Sequence, residues 1–419
     1  MELYWIWLSL LEGISIKQRL LALDALGSPK EVYYASTEKL CTISGLKEKS
    51  IHALREIDLI RAKRVQNECY EKNISLLPFD HPLYPETLRN IPDPPLLLYY
   101  CGRFPMLNDE LVVSVVGTRK ASENGRMNAR RLGYEMSMSG VVVVSGAAAG
   151  IDAAALEGAL HGKKPVIAVL GCGVDVVYPK SSRRLLEDIR DFGCVISEYT
   201  PGTQPDRFNF PARNRIISGL SRAVLVVEAP RKSGALITAK LALDQGRDVY
   251  AVPGNAGLKV CAGSNDLLRQ GAMIAEFGSD LIGNYEYLFR DRVTLMDPEE
   301  SLRYADILPP YQDGAETPIA ASPVLQPQIG NNFEVDIPNT PNYIDVNQAS
   351  IGLPDAEQTV LKMIGGEPTQ TDTIIETLDL PAQEVLSALT MLEVRRLIRS
   401  LPGGSYVLAF REEDKLGGI

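Results

Sequence analysis

Five stretches rich in Gly, Ser, Thr and Arg each follow an apolar run: "GTRKASENG" (117–125), "SGAAAGID" (145–152), "GCGVDVVYP" (171–179), "APRKSGALITA" (229–239) and "PGNAGLKVCAGSNDLL" (253–268). Glycine lets backbone N–H groups approach an anion closely. A helix N-terminus behind such a loop adds about half a positive charge, and Ser and Thr hydroxyls donate to phosphate oxygens. Loops of this kind suit phosphate. A sixth stretch, "FPARNRII" (210–217), puts Phe210 ahead of Arg213 and Arg215, with Arg207 and Phe208 just upstream. Rings beside guanidiniums suit a single nucleic-acid strand, whose bases stack while the cations take its phosphates. A core ring with two arginines paired to loop carboxylates fits the same residues equally well.

Other chemistries lack their residues. After Gly117 no second glycine comes before Gly125, so the G-x-G-x-x-G of a dinucleotide site is missing, as is GxxxxGK[ST]. None of the three histidines (His52, His81, His161) lies in a strand-end loop, no G-x-S-x-G occurs, and no carboxylates cluster. Asp152 reads as the cap of a following helix, and Ser145 and Ser233, with no base nearby, as turn residues or phosphate donors. The six cysteines are scattered with no CxxC, which predicts reduced thiols in a cytoplasmic protein rather than a zinc site or disulfides. No catalytic residue, metal or cofactor is expected.

The loops need a scaffold that brings them together. From about residue 107, β-branched runs (111–117, 141–146, 165–171, 194–198, 223–229, 248–254) alternate with helical patterns near 122–139, 151–161, 181–191, 212–220 and 234–246. That predicts an α/β, doubly wound, mostly parallel sheet over 107–295, with the loops converging at its carboxyl edge. Residues 1–72 read as a helical module; "LCTISGLKEKSIHAL" (40–54) has the helix-turn-helix pattern of helix-hairpin-helix or SAM-like units, or of plain helical packing. Residues 73–106 read as an extension into the core. The segment 296–354 reads as an acidic, Pro-rich, disordered linker: over 297–354 there are nine prolines, nine Asp/Glu and one Arg, a net of −8. Residues 355–419 read as a winged-helix domain, three helices and a two-strand wing around Pro402-Gly403-Gly404. Glu384 and Glu393 lie on its third helix, and bases come only at the end (Arg395, Arg396, Arg399), so protein contact or packing fits as well as DNA reading.

The formal net charge of −10 would argue against nucleic acid if it were spread evenly. It is not: residues 110–290 hold 22 Lys/Arg and 18 Asp/Glu, a net of +4. "MELYWIWLSLLEG" lacks a basic start and reads as an amphipathic helix, and no apolar run approaches a membrane span.

The ordered motifs "VGTRKAS", "SGAAAGIDAAALEGAL", "AVLGCGVDVVYP", "ISEYTPG", "FPARNRIISGLS", "SGALITAKLALDQGRDVYAVPG" and "GSNDLLRQGA" resemble the DNA-processing protein A (DprA/Smf) family over about residues 79–283. The resemblance implies a Rossmann-like core and a non-enzymatic protein that binds single-stranded DNA, protects it during natural transformation, loads RecA and dimerises through that core. By motif it implies a DNA site of Arg119, Ser145, Gly146, Gly150, Arg207, Phe210, Arg213, Asn214, Ser233, Gly234 and Thr238; Arg215 is expected to anchor the fold instead. Ala149 and Ala262 stand where the family often has basic residues, so DNA binding is expected to be weaker or more salt-sensitive; Leu156, where the family often has His, is read as packing. Two alternatives are a nucleotide-ligand sensor and a phosphoribohydrolase-like enzyme; the "PGGxGTxxE" motif of the latter is not matched by "APRKSGALITAKLA".

Overall fold

A computed structural model describes residues 1–299, 301–302, 353–364, 369–378, 380–395, 397–401 and 405–408. The linker assigned to 296–354 falls outside these residues from 303 to 352, as does the wing turn at 402–404. Two compact units, Met1–Val324 and Leu325–Ile419, make up the chain.

The first unit opens with α1 (Glu2–Leu10), α2 (Ile16–Leu26), α3 (Pro29–Tyr34), α4 (Thr37–Cys41), α5 (Glu48–Leu54) and α6 (Ile60–Glu71). Ser15, Ser28 and Ser36 cap α2, α3 and α4, each accepting a backbone N–H three residues on. Trp5, Ile6, Trp7 and Leu8 of α1 are buried. The turn between α4 and α5 is fastened to α2: the Gln18 side-chain amide donates to Gly45 O at 2.9 Å, and its oxygen accepts the Lys47 N–H at 2.7 Å. The Lys47 N–H that a helix-hairpin-helix turn would offer to a DNA backbone is thus engaged within the module.

The nine-stranded sheet comprises β1 (Ser75–Pro78), β2 (Leu97–Gly102), β3 (Val112–Val116), β4 (Val142–Ser145), β5 (Val166–Val169), β6 (Cys194–Ser197), β7 (Ala223–Val226), β8 (Asp248–Ala251) and β9 (Met273–Ile274). Its order is β1-β2-β6-β5-β4-β3-β7-β8-β9. From β6 to β9 all pairings are parallel; β2 pairs with β6 and with β1 antiparallel, so the expected extension into the core adds two strands to the same sheet. The chain winds outward one way from β3 and then returns to place β7 on its other side, which makes a switch point there.

The helices are α7 (Glu86–Arg89), α8 (Glu123–Met138), α9 (Ile151–Leu160), α10 (Arg183–Phe192), α11 (Asn209–Leu220), α12 (Gly234–Asp244), α13 (Ala262–Arg269) and α14 (Gly278–Ile282). Because side chains alternate along a strand, Val113, Val115, Val143 and Ala168 face the core under α8, α9 and α10, while Val112, Val116, Val142, Val144 and Ile167 face the core under α11 and α12. Burial on both faces explains why these strands read as unbroken apolar runs. Helices α8 and α9 touch backbone to backbone: a Cβ at Gly133 would overlap Ala155 O, and one at Gly158 would overlap Arg130 O.

In the second unit, α15 (Asp355–Met363), β10 (Thr369–Gln370), α16 (Thr371–Thr377), α17 (Ala382–Val394), β11 (Ile398–Leu401) and β12 (Ser405–Leu408) surround Val360, Leu361, Ile374, Val385, Leu389 and Leu392. Its sheet runs β10-β12-β11. The two expected wing strands are β11 and β12. The third, β10, is too short to leave a periodic signal in sequence.

Candidate nucleic-acid interface

At the carboxyl edge of the sheet a cleft of about 520 Å³ opens beside the switch point. The loop after β3 supplies Gly117, Thr118 and Arg119, and the loop after β5 supplies Tyr178. Arg207, Phe210, Arg213 and Asn214 come from the segment entering α11; Lys232, Ser233, Gly234 and Thr238 come from the loop after β7 and the start of α12. The 253–268 loop, expected at the same edge, supplies no lining residue. Its Gly263 N–H is instead bonded to Ala229 O at 2.7 Å, beneath the neighbouring loop.

The rim alternates rings and cations. The Arg119 guanidinium lies 4.9 Å from the Phe210 ring centroid. Tyr178 also packs against Phe210, centroids 5.5 Å apart and tilted 33°. Arg207 lies 4.7 Å from the Phe208 ring, which is 69% exposed. An Asx turn sets that pair outward, Asp206 Oδ1 accepting the Phe208 N–H at 2.8 Å. Lys232 is exposed as well. Arg119, Arg207 and Lys232 have no carboxylate partner among the described residues. Proline in the first turn of α11 (Pro211) costs no hydrogen bond, since that N–H would be unpartnered anyway.

The floor is different. Arg213 is 4% exposed; its Nη1 donates to Gly146 O at 3.1 Å and to Val169 O, and its Nε to Asn214 Oδ1 at 3.3 Å. Burial lowers its pKa to about 10, against the opposing pull of the Asp152 carboxylate. Burial likewise raises Asp152 to about 6, opposed by Arg213 and by backbone N–H groups that include Gly117, 3.3 Å away. Asp152 therefore serves the β3 loop rather than capping α9. Arg213, expected to touch DNA, lines the cleft and ties α11 to the ends of β4 and β5, because strand-end carbonyls lie where its guanidinium reaches.

Three more of the residues expected to contact DNA are engaged within the fold. Ser145 is fully buried and donates to Val115 O at 2.5 Å, inside the sheet. Gly146 sits behind Arg213, where a Cβ would come 2.6 Å from Nη2. Gly150, at φ +91, backs onto Thr118 O and Arg119 O, where a Cβ would clash. Between them, Ala147 is held at φ 50 and its carbonyl accepts the Ser182 hydroxyl at 3.2 Å. Thr238 lines the cleft but is 1% exposed. Ser233 caps α12 through the Ala235 N–H at 3.3 Å. Asn214 Nδ2 reaches Gly234 O at 3.5 Å and joins α11 to α12, while Gly234 has open space around it. Arg215 points away from the cleft to Glu198 at 2.7 Å and Asp93 at 3.6 Å. Ala149 is exposed.

A family model for DNA recombination-mediator protein A matches residues 75–286. Protein Smf of Synechocystis sp. is 36% identical over 346 residues, 81% of this chain and 81% of the relative. The chain belongs to the DNA recombination-mediator protein A family. A further model, for the DprA winged helix domain, matches 346–404. DNA processing protein DprA of Streptococcus pneumoniae is 43% identical over 206 residues, 49% of this chain and 72% of the relative. The X-ray structure of DprA from that organism is similar to this one with a TM-score of 0.59 at 34% identity, covering 68% of this chain and 98% of that one. The recombination-mediator match spans the sheet and every loop of the cleft, so this is a DNA-processing protein with a doubly wound core and a winged helix.

Within this recombination-mediator protein, sequence reading passed over Tyr178 and Lys232. Both lay in loops already singled out, but nothing in the sequence brings Tyr178 to Phe210. Lys180 and Arg183 continue from Tyr178 and are exposed. Among the described residues no group of His, Cys, Asp and Glu could hold a metal ion, and no helix is long and apolar enough to cross a membrane. On the winged helix, α17 buries Val385, Ala388, Leu389 and Leu392 and exposes Gln383, Glu384, Leu386, Ser387, Thr390 and Met391. No Lys, Arg or His occurs over 382–394. Arg395, just past its end, pairs with Glu357 at 3.1 Å.

Proposed function

We propose that the cleft binds single-stranded DNA, and that the protein acts without catalysis as a cytoplasmic recombination mediator, protecting incoming DNA during natural transformation and loading RecA onto it. The observation that carries this reading is the rim, where cations without carboxylate partners among the described residues alternate with accessible rings: Arg119 on Phe210, Tyr178 against Phe210, Arg207 on Phe208. Bases of any sequence can stack on such rings while phosphates meet the cations. DNA contacts are assigned to Arg119, Arg207, Phe210 and Gly234, joined by Tyr178, Phe208 and Lys232. Arg213, Asn214, Ser145, Gly146, Gly150, Ser233 and Thr238 support them from behind. The non-catalytic reading is favoured by Asp152, the carboxylate that reaches the cleft: it is buried, accepts from backbone N–H groups and lies in the field of the Arg213 charge.

Homodimerisation through the α/β core is part of the same proposal. Strand β9 ends the sheet order and exposes Met273 and Ile274, and Leu243 of α12 is exposed as well. An apolar, unpaired sheet edge favours association. Charged replacements, Met273→Lys with Ile274→Lys, are expected to give a monomer by sedimentation; an unchanged species places the interface elsewhere.

The DNA reading is tested by fluorescence anisotropy with single-stranded, duplex and mononucleotide ligands over a salt series. Single strands are expected to bind best, with a log–log salt slope of roughly −0.7 per phosphate contact. Equal affinity for duplex, or no binding at low salt, overturns it.

A further inference from the structure

Glu228 lies just beyond β7, beneath the loop that carries Arg119, and is 4% exposed. Its backbone carbonyl accepts the Thr118 N–H at 2.7 Å. Its carboxylate accepts the Ser122 N–H at 2.8 Å and the Ser122 hydroxyl at 2.6 Å. One residue therefore holds both ends of "TRKAS" (118–122), and Arg119 and Lys120 sit between the two fastenings. A third tie runs to the neighbouring loop, where the Cys261 thiol lies 3.8 Å from the same carboxylate. Ser122 in turn caps α8 through the Gly125 N–H at 3.0 Å. Gly125 leaves room for the carboxylate: a Cβ there would stand 2.7 Å from Glu228 Oε2. No cation pairs with Glu228 among the described residues, so these donors alone compensate for burying its charge.

We infer that Glu228 is a positioning residue for DNA binding: it fixes the Arg119 loop so that the guanidinium stays over the Phe210 ring before the strand arrives. This rests on the single-strand reading of the cleft. An arginine on a loose loop loses backbone and side-chain freedom on binding, whereas one already held loses little. The alternative is purely electrostatic. A carboxylate beside a phosphate site repels the ligand, and on that view neutralising it tightens binding. Positioning predicts the opposite sign.

The experiment is anisotropy of a labelled oligo-thymidine with the full chain and its variants Arg119→Ala, Glu228→Gln, the two combined, and Gly125→Ala. Wild-type protein is expected to bind. Glu228→Gln, which keeps the shape and removes the charge, is expected to weaken binding about fivefold to tenfold, close to Arg119→Ala. The double variant is expected to lie within about twofold of Arg119→Ala alone, because the two residues act through one contact. Gly125→Ala keeps the charge but displaces the carboxylate, and is expected to weaken binding in the same direction; it decides the matter if Glu228→Gln does not fold. Glu228→Gln binding as tightly as wild type or more tightly overturns the inference, as do losses that multiply in the double variant. If wild-type protein does not bind the oligonucleotide, the single-strand reading itself fails and takes the inference with it.

Discussion

At the carboxyl edge of the sheet, Arg119, Arg207 and Lys232 stand beside Tyr178 and Phe210, with Phe208 against Arg207, and have no carboxylate partners among the described residues. Along the exposed face of α17 stand Gln383, Leu386, Ser387, Thr390 and Met391, with Glu384 beside them and no cation from 382 to 394. Both belong to folds that commonly meet nucleic acid. Only the first holds the groups that release counterions from a phosphate backbone, the largest source of non-specific affinity. Charge by segment agrees: residues 110–290 carry a net of +4, whereas 353–408, with 4 Lys/Arg and 8 Asp/Glu, carry −4. A winged helix is a shape, and its function has to be argued from its side chains.

The comparison breaks most readily at the cleft floor. Arg213→Ala removes the guanidinium charge that acts on buried Asp152 and leaves the Gly146 and Val169 carbonyls without a donor. The expected loss of stability is about 3–5 kcal/mol in urea unfolding. A loss under about 1 kcal/mol would mean that Arg213 is not the tie between α11 and the strand ends. The same pair predicts a pH dependence. Asp152 titrates near 6 in the fold, above its ordinary 3.8, so the folded state holds the proton more tightly. Its contribution to stability is full below the unfolded value and is lost as pH rises through about 6. Between pH 4 and 7 the stability of Asp152→Asn, measured against wild type, is expected to rise with pH; a flat difference rules this out.

Next comes the rim. Arg119→Glu combined with Arg207→Glu is expected to weaken single-strand binding at least about 100-fold and to flatten the salt slope by roughly 1.4, the share of two phosphate contacts. Affinity that survives both reversals would move the site elsewhere. Phe210→Ala removes the ring that Arg119 and Tyr178 share, and is expected to cost about tenfold in affinity with little change in slope, since stacking carries no counterions. A change in slope would recast Phe210 as a support for Arg119 alone.

How far sequence reading reached follows the distance over which each feature is determined. Strands β3 to β8 were legible because burial on both faces writes itself as consecutive Val, Ile and Ala. The cleft loops were legible because glycine, serine and arginine cluster locally. The roles of Arg213 and Arg215 were only half legible. Two residues apart on a helix they must point differently, and Arg215 does anchor to Glu198. That the other direction ends among strand carbonyls, and not in solvent, depends on Gly146 and Val169, 67 and 44 residues away. Ser145 was read as a donor at a loop, but β4 reaches it and keeps it inside the sheet. Glu228, 106 residues from the serine it holds, left no sequence signal at all.

The smallest expected effect lies on the winged helix, and it sharpens the comparison best. Leu386→Ala with Met391→Ala, in the full chain, removes the apolar groups from the exposed face of α17 without touching its buried stripe. Affinity for duplex and for single strands is expected to stay within about twofold of wild type, since neither side chain meets a phosphate. Glu384→Lys with Ser387→Lys adds the missing charge to the same face, and duplex affinity is expected to rise with a steeper salt slope, by roughly 0.9 per phosphate gained. If the alanine pair already abolishes duplex binding, α17 reads DNA through apolar contacts and the contrast between the two regions fails. If only the lysine pair changes binding, this helix has the shape to lie on a duplex and lacks the charge to do so.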